Sequence, residues 1–135
     1  FTLIDESYNA NPLSMTAGFR SLGARIVPEG GRRVVFLTDM LELGDQAEAM
    51  HAGLAEPLDA ARVDVVHTAG PMMRHLHDAL SPARRGDWRE TAAQLANEVA
   101  ALVRDGDTVM VKGSNGSRAG QIATALAGLH SDDGA

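Results

Sequence analysis

Two segments of the sequence gather side chains of the kinds that bind phosphate or carboxylate groups. Residues 5–14 combine two carboxylates, two amides, two hydroxyls and a phenol, and they lead into a predicted helix start, where free backbone N–H groups can receive an anion. Residues 112–118 join Lys112, the only lysine of the chain, to a run rich in glycine and serine and then to Arg118. Free N–H groups, small side chains and fixed positive charge are the parts of an anion-binding loop.

A third segment, residues 38–45, carries Asp39 where a strand is predicted to end, a frequent place for a carboxylate that faces a ligand. Each segment also has a purely structural interpretation. Asn11 and Ser14 are typical turn and cap residues. Asp39 is equally typical of a cap or a solvated loop, and Lys112 of a side chain that extends over the surface. The residues alone leave both interpretations open.

The elements that must position these segments alternate between strand and helix. Apolar and β-branched runs predict strands, the fourth of them minor, at residues 2–5, 33–37, 63–68, 87–89 and 108–111. Apolar spacing and cap residues predict helices at residues 12–23, 46–61, 70–80, 91–103 and 118–129, and we expect Pro57 to kink or divide the second. This alternation predicts a three-layer, Rossmann-like α/β sandwich with a mainly parallel sheet of about five or six strands. All three segments would lie at its carboxyl edge.

Composition excludes several classes of function. The length of 135 residues fits one domain, and the lack of cysteine excludes disulfides and thiolate metal sites. A net charge of −6 with 4% aromatic residues argues against nucleic-acid binding, and no apolar run is long enough for membrane insertion. The nucleotide P-loop pattern is missing. Metal-ligand spacing is also missing, so we expect surface or packed side chains for His51, His67, His75, His77 and His130.

The three segments together resemble one known family. Residues 5–15, D-E-S-Y-N-A-N-P-L-S-M, closely resemble the D-D-S-Y-N-A-N-P-x-S-M signature of the Mur ligases that add D-alanyl-D-alanine to UDP-N-acetylmuramoyl-tripeptide. Residues 39–44 look like the D-M-L-E-L-G of that family, and residues 112–114 like its K-G-S. The order and separation of the motifs also agree, so the resemblance extends over nearly all of residues 2–129.

The resemblance implies a domain of a larger ligase. Residues 1–129 would be the C-terminal domain, followed by a flexible tail at residues 130–135. In this family a central domain with the P-loop binds ATP and Mg²⁺ and converts the tripeptide carboxylate to an acyl phosphate, which the incoming amine attacks. The implied partners are the N-terminal and central domains of the enzyme, UDP-N-acetylmuramoyl-tripeptide and D-alanyl-D-alanine, in the cytoplasm. This chain alone, without a P-loop, would be inactive.

Matched by position, the resemblance also implies roles for single residues. The nucleotide and the incoming substrate would be faced by Asp5, Tyr8, Asn9, Asn11, Ser14 and Asp39. The dipeptide carboxylate or a phosphate would be bound by Lys112, Gly113, Ser114 and Arg118. Lys112 is the candidate anion stabiliser, because such a reaction needs cationic and N–H donors around an anionic transition state. No metal ligand is expected in this chain.

Three positions depart from the family pattern. Glu6 replaces the second aspartate, Thr38 replaces the glycine before Asp39, and Asn115 replaces the usual arginine after K-G-S, a charge that Arg118 could restore. Two alternatives stay open. One is the equivalent domain of a sister Mur-type or folate-type amino-acid ligase, and the other is a stand-alone Rossmann-like binding module.

Overall fold

The computed structural model describes residues 1–134, with the side chains of residues 1–129, and in this part of the chain it has one parallel sheet. Its strands are β1 (Thr2–Glu6), β2 (Arg33–Thr38), β3 (Val65–Ala69), β4 (Arg85–Arg89) and β5 (Thr108–Lys112). They lie side by side in the order β1-β5-β2-β3-β4, and every neighbouring pair is parallel. The predicted α/β class with a parallel sheet is confirmed. The sequence does not predict this order, because β5, the last strand along the chain, lies between β1 and β2, the first two.

The helices cover both faces of the sheet. Their bounds are α1 (Pro12–Ala24), α2 (Ala47–Ala52), α3 (Ala55–Ala60), α4 (Met73–Ala79), α5 (Ala92–Ala96), α6 (Val99–Leu102) and α7 (Ala119–Gly134). One core lies under α1, α3 and α4 and includes Phe19, Leu37 and Met110. The other lies under α5, α6 and α7 and includes Phe36 and Ile122. Alternate residues of β2 therefore enter opposite cores, which explains its unbroken apolar run.

Two of the predicted helices are divided. The helix predicted at 46–61 breaks at Gly53, so that Pro57 lies inside α3 rather than at the break. The reason is local, because Pro57 has no N–H to donate to the Gly53 carbonyl and its ring would clash with that group. The prediction of a single helix at 91–103 was wrong, because the structure has two short helices, α5 and α6, in this segment. Between them the Glu98 N–H donates to the Leu95 carbonyl at 3.0 Å, so the chain makes a tighter turn than an α-helix.

The ends of two further helices also differ from the prediction. Helix α4 begins at Met73 instead of residue 70, because Gly70 has a φ of 120° that no helix contains. Helix α7 begins at Ala119, after Arg118 in a left-handed conformation. The structure describes side chains only for residues 1–129, and the flexible tail predicted at residues 130–135 lies outside that range. No helix among the described residues is long and apolar enough to cross a membrane.

The amino edge of the sheet is closed by an ion pair. Arg32 Nε and Nη2 donate to the two carboxylate oxygens of Asp107 at 3.0 and 2.8 Å, and Nη2 also donates to the Leu102 carbonyl at 3.3 Å. Asp107 is only 2% exposed and accepts the Arg104 N–H as well. Burial by itself would raise the pKa of Asp107, but the hydrogen bonds and charge of Arg32 outweigh it and the pKa is lowered.

Candidate functional site

The carboxyl ends of β1, β5 and β2 lie next to one another and bring the three predicted segments to one edge of the sheet. Glu6 at the end of β1 pairs in register with Lys112 at the end of β5, and Lys112 pairs with Leu37 of β2. The loops after these strands are therefore neighbours. We call this edge, with residues 5–11, 38–43 and 112–118, the carboxyl edge.

The loop after β1 is shaped by its own side chains. Asp5 Oδ1 accepts the Ser7 N–H at 2.9 Å. Asn11 caps α1, because its Oδ1 accepts the Ser14 N–H at 2.8 Å while Ser14 Oγ accepts the Asn11 N–H at 3.0 Å. This reciprocal pair is a capping box, and Pro12 comes next at the first helical position, as the sequence predicts. Asn11 and Ser14 thus have the cap role that the sequence left open.

Tyr8 and Asn9 lie at the tip of this loop and point outward. Tyr8 is 70% exposed, and Asn9 is also exposed. Among the described residues, neither side chain has a hydrogen-bond partner, whereas the Asn9 carbonyl accepts from Lys112. Exposed phenol and amide groups on a fixed loop are placed to contact a ligand.

Lys112 is nearly buried and connects β5 to the loop after β1. Its side chain is 4% exposed, its Nζ donates to the Asn9 carbonyl at 3.3 Å, and Glu6 Oε1 lies 3.8 Å from the same nitrogen. The stem of Lys112 packs on Gly18 of α1, where a Cβ would lie 3.2 Å from both Lys112 Cδ and Glu6 Oε2. Glu6, one of the departures from the family pattern, is thus the nearest counter-charge of the lysine.

Ser114 connects the loops after β1 and β2. Its Oγ donates to the Ala10 carbonyl at 3.4 Å and accepts the Leu41 N–H at 3.1 Å. The preceding residue, Gly113, has no room for a side chain, because a Cβ there would overlap the Thr38 hydroxyl. One serine hydroxyl therefore holds loops that are 73 and 104 residues away along the chain.

Asp39 caps α4. Its Oδ1 accepts the Met73 N–H at 2.8 Å and its Oδ2 the Met72 N–H at 3.2 Å. The residue is 6% exposed, and this burial raises the pKa of its carboxyl group, although the two backbone N–H bonds act in the opposite direction. Gly70 is required beside it, since a Cβ on Gly70 would overlap the carboxylate.

Thr38 and Ser117 form a hydroxyl pair next to Asp39. Their oxygens are 2.7 Å apart, and Ser117 Oγ donates to the Asp39 carbonyl at 2.8 Å. Ser117 Oγ also lies 2.9 Å from the Ser114 carbonyl, so two carbonyl groups are within reach of its single proton, and either hydroxyl can be the donor within the Thr38–Ser117 pair. The threonine that stands where the family has glycine is thus accommodated by Ser117. The next residue, Arg118, is exposed and has a φ of 67°.

A cleft of about 450 Å³ opens at this edge between β2, β3 and the start of α7. The residues that line it include Asp39, Leu41, Gly70, Thr91, Arg118 and Gln121. A larger cleft of about 640 Å³ lies between α1 and α3 and contains none of the predicted site residues. In residues 1–129 no group of three or more histidine, aspartate or glutamate side chains could hold a metal ion.

Two residues of this network were missed by the sequence reasoning. The sequence places Ser117 in the loop after β5 and predicts no contact for its side chain. His51, predicted as a surface or packed histidine, is fully buried on α2, where its Nε2 accepts the Met40 N–H at 3.0 Å. Spacing gives no signal for either contact, because Ser117 bonds Asp39 from 78 residues away along the chain, and the His51 bond to Met40 depends on how α2 packs against the loop after β2.

Comparison with known proteins identifies relatives in sequence and in fold. A family model described as "Mur ligase, glutamate ligase domain" matches residues 1–115. The UDP-N-acetylmuramoyl-tripeptide–D-alanyl-D-alanine ligase of Mycobacterium tuberculosis is 37% identical over 93% of this chain and 28% of its own length. The Escherichia coli ligase of the same name is 32% identical over 92% of this chain and 26% of its own length. The chain spans just over a quarter of the curated relatives that it matches.

Solved structures show the same fold. The MurF ligase of Thermotoga maritima in complex with ADP has a TM-score of 0.71 and 23% identity, over 91% of this chain and 27% of that one. A MurF structure from Acinetobacter baumannii has a TM-score of 0.72 and 24% identity, over 91% of this chain and 26% of that one. At these identities the likeness concerns the fold alone.

Proposed function

The chain belongs to the Mur ligase family, and from this premise we propose that it is the C-terminal domain of a cytoplasmic, ATP-dependent ligase of peptidoglycan precursor synthesis. The full-length enzyme would join D-alanyl-D-alanine to UDP-N-acetylmuramoyl-tripeptide. The names of the relatives above support this substrate pair. The observation that carries the proposal is the linkage of the three family motifs at one edge, through the Lys112 bond to Asn9 and the Ser114 bonds to Ala10 and Leu41.

Within this proposal the exposed residues contact the ligands. Tyr8, Asn9 and Asp5 lie on the loop after β1 and would face the nucleotide and the incoming substrate. Arg118 is the exposed cation of the cleft, and its planar guanidinium suits a phosphate or a carboxylate. Its left-handed backbone holds it at the mouth of the cleft, ahead of α7.

Lys112, Gly113 and Ser114 would complete the site for the dipeptide carboxylate or a phosphate. The Lys112 ammonium has three N–H groups, of which one is directed to the Asn9 carbonyl. A fixed, nearly buried cation needs little reorganisation when negative charge develops beside it, which is the condition for electrostatic stabilisation of a transition state. Glu6 keeps this cation in place until an anionic ligand competes for it.

Three residues would face the same substrates and also stabilise the loops of the site, namely Asn11, Ser14 and Asp39. Their side-chain oxygens cap α1 and α4, so the loops between strand and helix have fixed end points. Fixed loops preserve the distances between the reacting groups, and a misplacement of about 1 Å can cost a factor of about 100 in rate.

ATP and Mg²⁺ would be held mainly by the central domain of the full-length enzyme. When bound, ATP supplies the phosphoryl group that activates the tripeptide carboxylate. The groups that this chain offers are suited to one side of such a site, because Arg118, Tyr8 and Asn9 are exposed at one edge. Closure of the carboxyl edge over the nucleotide and the UDP-sugar tripeptide would bring these residues to the substrates and exclude water.

The test is ADP release by the full-length protein supplied with ATP, Mg²⁺ and UDP-N-acetylmuramoyl-tripeptide. We expect release that depends on added D-alanyl-D-alanine. The matched control replaces the dipeptide with single amino acids, because a sister ligase would respond to one of these instead. Release that requires a single amino acid would overturn the proposed substrate, and no release with any acceptor would overturn the ligase function. The 135-residue chain alone should release no ADP.

A further inference from the structure

His51 is a buried histidine whose two ring nitrogens both have partners. Its ring is fully buried on α2. Nδ1 lies 2.7 Å from the Ala47 carbonyl one helical turn earlier, and Nε2 accepts the Met40 N–H at 3.0 Å. Since Nε2 must carry a lone pair to accept, the proton is on Nδ1, and the neutral imidazole bridges α2 to the loop after β2.

The residues on either side of Met40 are also held by hydrogen bonds. The next amide along the chain, the Leu41 N–H, donates to Ser114 Oγ at 3.1 Å. Two adjacent N–H groups of one loop are therefore held from opposite sides, one by α2 and the other by the loop after β5. Before Met40, the Asp39 carbonyl accepts from Ser117. Each of residues 39–41 is thus held by a hydrogen bond to its backbone, although these residues belong to neither a helix nor a strand.

We propose that His51 is a positioning residue of the carboxyl edge: by accepting the Met40 N–H, it fixes the loop from which Asp39 and Leu41 line the cleft. It does not itself touch a ligand, because its ring is fully buried and both of its nitrogens are occupied. The kinetic part of this inference rests on the ligase function proposed above. The structural part, that His51 holds Met40, does not.

A second buried histidine, His67, is the matched control that distinguishes a positioning role from a general effect on stability. His67 on β3 is also buried, and its Nδ1 accepts the Asp87 N–H at 3.0 Å, the same length and kind of bond. Its ring stacks against Phe36 in the core under α5, α6 and α7, with a centroid distance of 4.9 Å. Among the described residues it makes no hydrogen bond to the loops of the carboxyl edge.

The experiment compares three variants of the full-length enzyme. His51→Leu and His67→Leu each remove one ring and one acceptor for a backbone N–H, whereas His51→Gln retains an acceptor near the position of Nε2. Hydrogen exchange of the peptide that contains Met40 is measured by mass spectrometry. KM for D-alanyl-D-alanine, KM for ATP and kcat are measured in parallel.

For His51→Leu we expect exchange at Met40 to rise at least about tenfold and kcat/KM for the dipeptide to fall about tenfold. His51→Gln should recover most of both losses. His67→Leu should lower the thermal midpoint but leave both Met40 exchange and the kinetics as in the wild type. If His51→Leu does not fold, His51→Asn replaces it, because its shorter side chain keeps a donor for Ala47 but does not reach Met40.

Unchanged exchange at Met40 in the His51 variant, or the same kinetic loss in His67→Leu, would overturn the positioning role. So would a glutamine variant no better than leucine. The exchange measurement needs no substrate, so it tests the His51 bond to Met40 even if the enzyme fails to use the dipeptide. Failure of the proposed function is instead seen in the wild type, as ADP release that does not respond to D-alanyl-D-alanine.

Discussion

The two edges of the sheet are closed by different kinds of interaction. At the amino edge, Arg32 and Asp107 form a two-bond ion pair with a shortest distance of 2.8 Å. At the carboxyl edge, most connections between loops are single hydrogen bonds between a side chain and the backbone, in which the neutral hydroxyls of Ser114 and Ser117 take part. The Lys112 ammonium adds one such bond, to the Asn9 carbonyl. The charged pair at this edge, Lys112 and Glu6, is longer at 3.8 Å.

This difference suits the amino edge to stability and the carboxyl edge to binding. The Arg32–Asp107 pair satisfies both of its charges within the protein, so the amino edge has nothing there to offer a ligand. Bonds of the neutral Ser114 and Ser117 hydroxyls hold loops of the carboxyl edge without any charge from Arg118. Arg118 therefore stays exposed, and Lys112 keeps a weakly engaged ammonium. An edge built this way can be rigid and still have charge available for an anionic substrate.

The largest effect is expected at the carboxyl edge. If the proposed function holds, replacing Lys112 with methionine, which keeps the apolar stem, should lower kcat/KM of the full-length enzyme for D-alanyl-D-alanine by about 100-fold, because the proposal places this fixed cation beside the developing anion. Steady-state kinetics measure this effect. Arg32→Met, which removes a cation from the amino edge, is the control and should leave kcat/KM within a factor of about two. Equal losses of kcat/KM in the two variants would contradict the proposal that the carboxyl edge, and not the amino edge, binds the substrate.

An intermediate effect is expected at the amino edge. Asp107→Asn leaves Arg32 partly buried without its counter-charge, and it should lower the free energy of unfolding by about 2 kcal/mol. Urea unfolding of the 135-residue chain, followed by the fluorescence of Trp88, its only tryptophan, measures this change. Glu6→Gln at the carboxyl edge is the matched control, and the longer, more exposed pair should contribute less than about 1 kcal/mol. A larger loss in Glu6→Gln would reverse the predicted ranking.

The smallest effect concerns pH, and its sign differs between the edges. The pKa of Asp107 is lowered in the folded protein, so its stabilising contribution is present above the unfolded pKa near 3.8 and is lost as the pH falls through the folded value. The pKa of Asp39 is raised, so its contribution is present below the unfolded pKa and is lost as the pH rises through the folded value.

On acidification from about pH 5 to about pH 3, the free energy of unfolding of Asp107→Asn should therefore fall less steeply than that of the wild type. That of Asp39→Asn should fall more steeply. Each difference should stay below about 1.4 kcal/mol per pH unit, the limit for one titrating group. Urea unfolding at several pH values measures the slope for each variant, and two slopes that differ from the wild-type slope in the same direction would contradict the opposite pKa shifts.

The sequence predicted the layers of the fold well but not the details that depend on neighbours in space. Apolar runs such as residues 33–37 identify buried strands because both faces are covered. The division between α5 and α6 left no glycine or proline signal, and it depends on a tightened turn at Glu98, whose side chain bonds Arg89 of β4. The insertion of β5 between β1 and β2 is likewise a property of the assembled sheet.

At the site, the sequence predicted which segments meet but not what each side chain does there. The cap roles of Asn11 and Asp39 were among the alternatives that residue type suggested. The pairing of Lys112 with Glu6, and of Thr38 with Ser117, joins residues from different strands or loops. Sequence spacing carries no information on such contacts, so it does not predict that Glu6 pairs with Lys112 or Thr38 with Ser117.

The position of β5 in the sheet has a consequence for the order of synthesis. In the described sheet β1 pairs only with β5, and the bond from Lys112 to Asn9 spans 103 residues. A growing chain that has not reached residue 108 can dock β2, β3 and β4, but it leaves β1 unpaired and one side of β2 open to other strands. The carboxyl edge therefore cannot assemble before β5 has been made, and a chain interrupted during translation before residue 108 would expose a β edge.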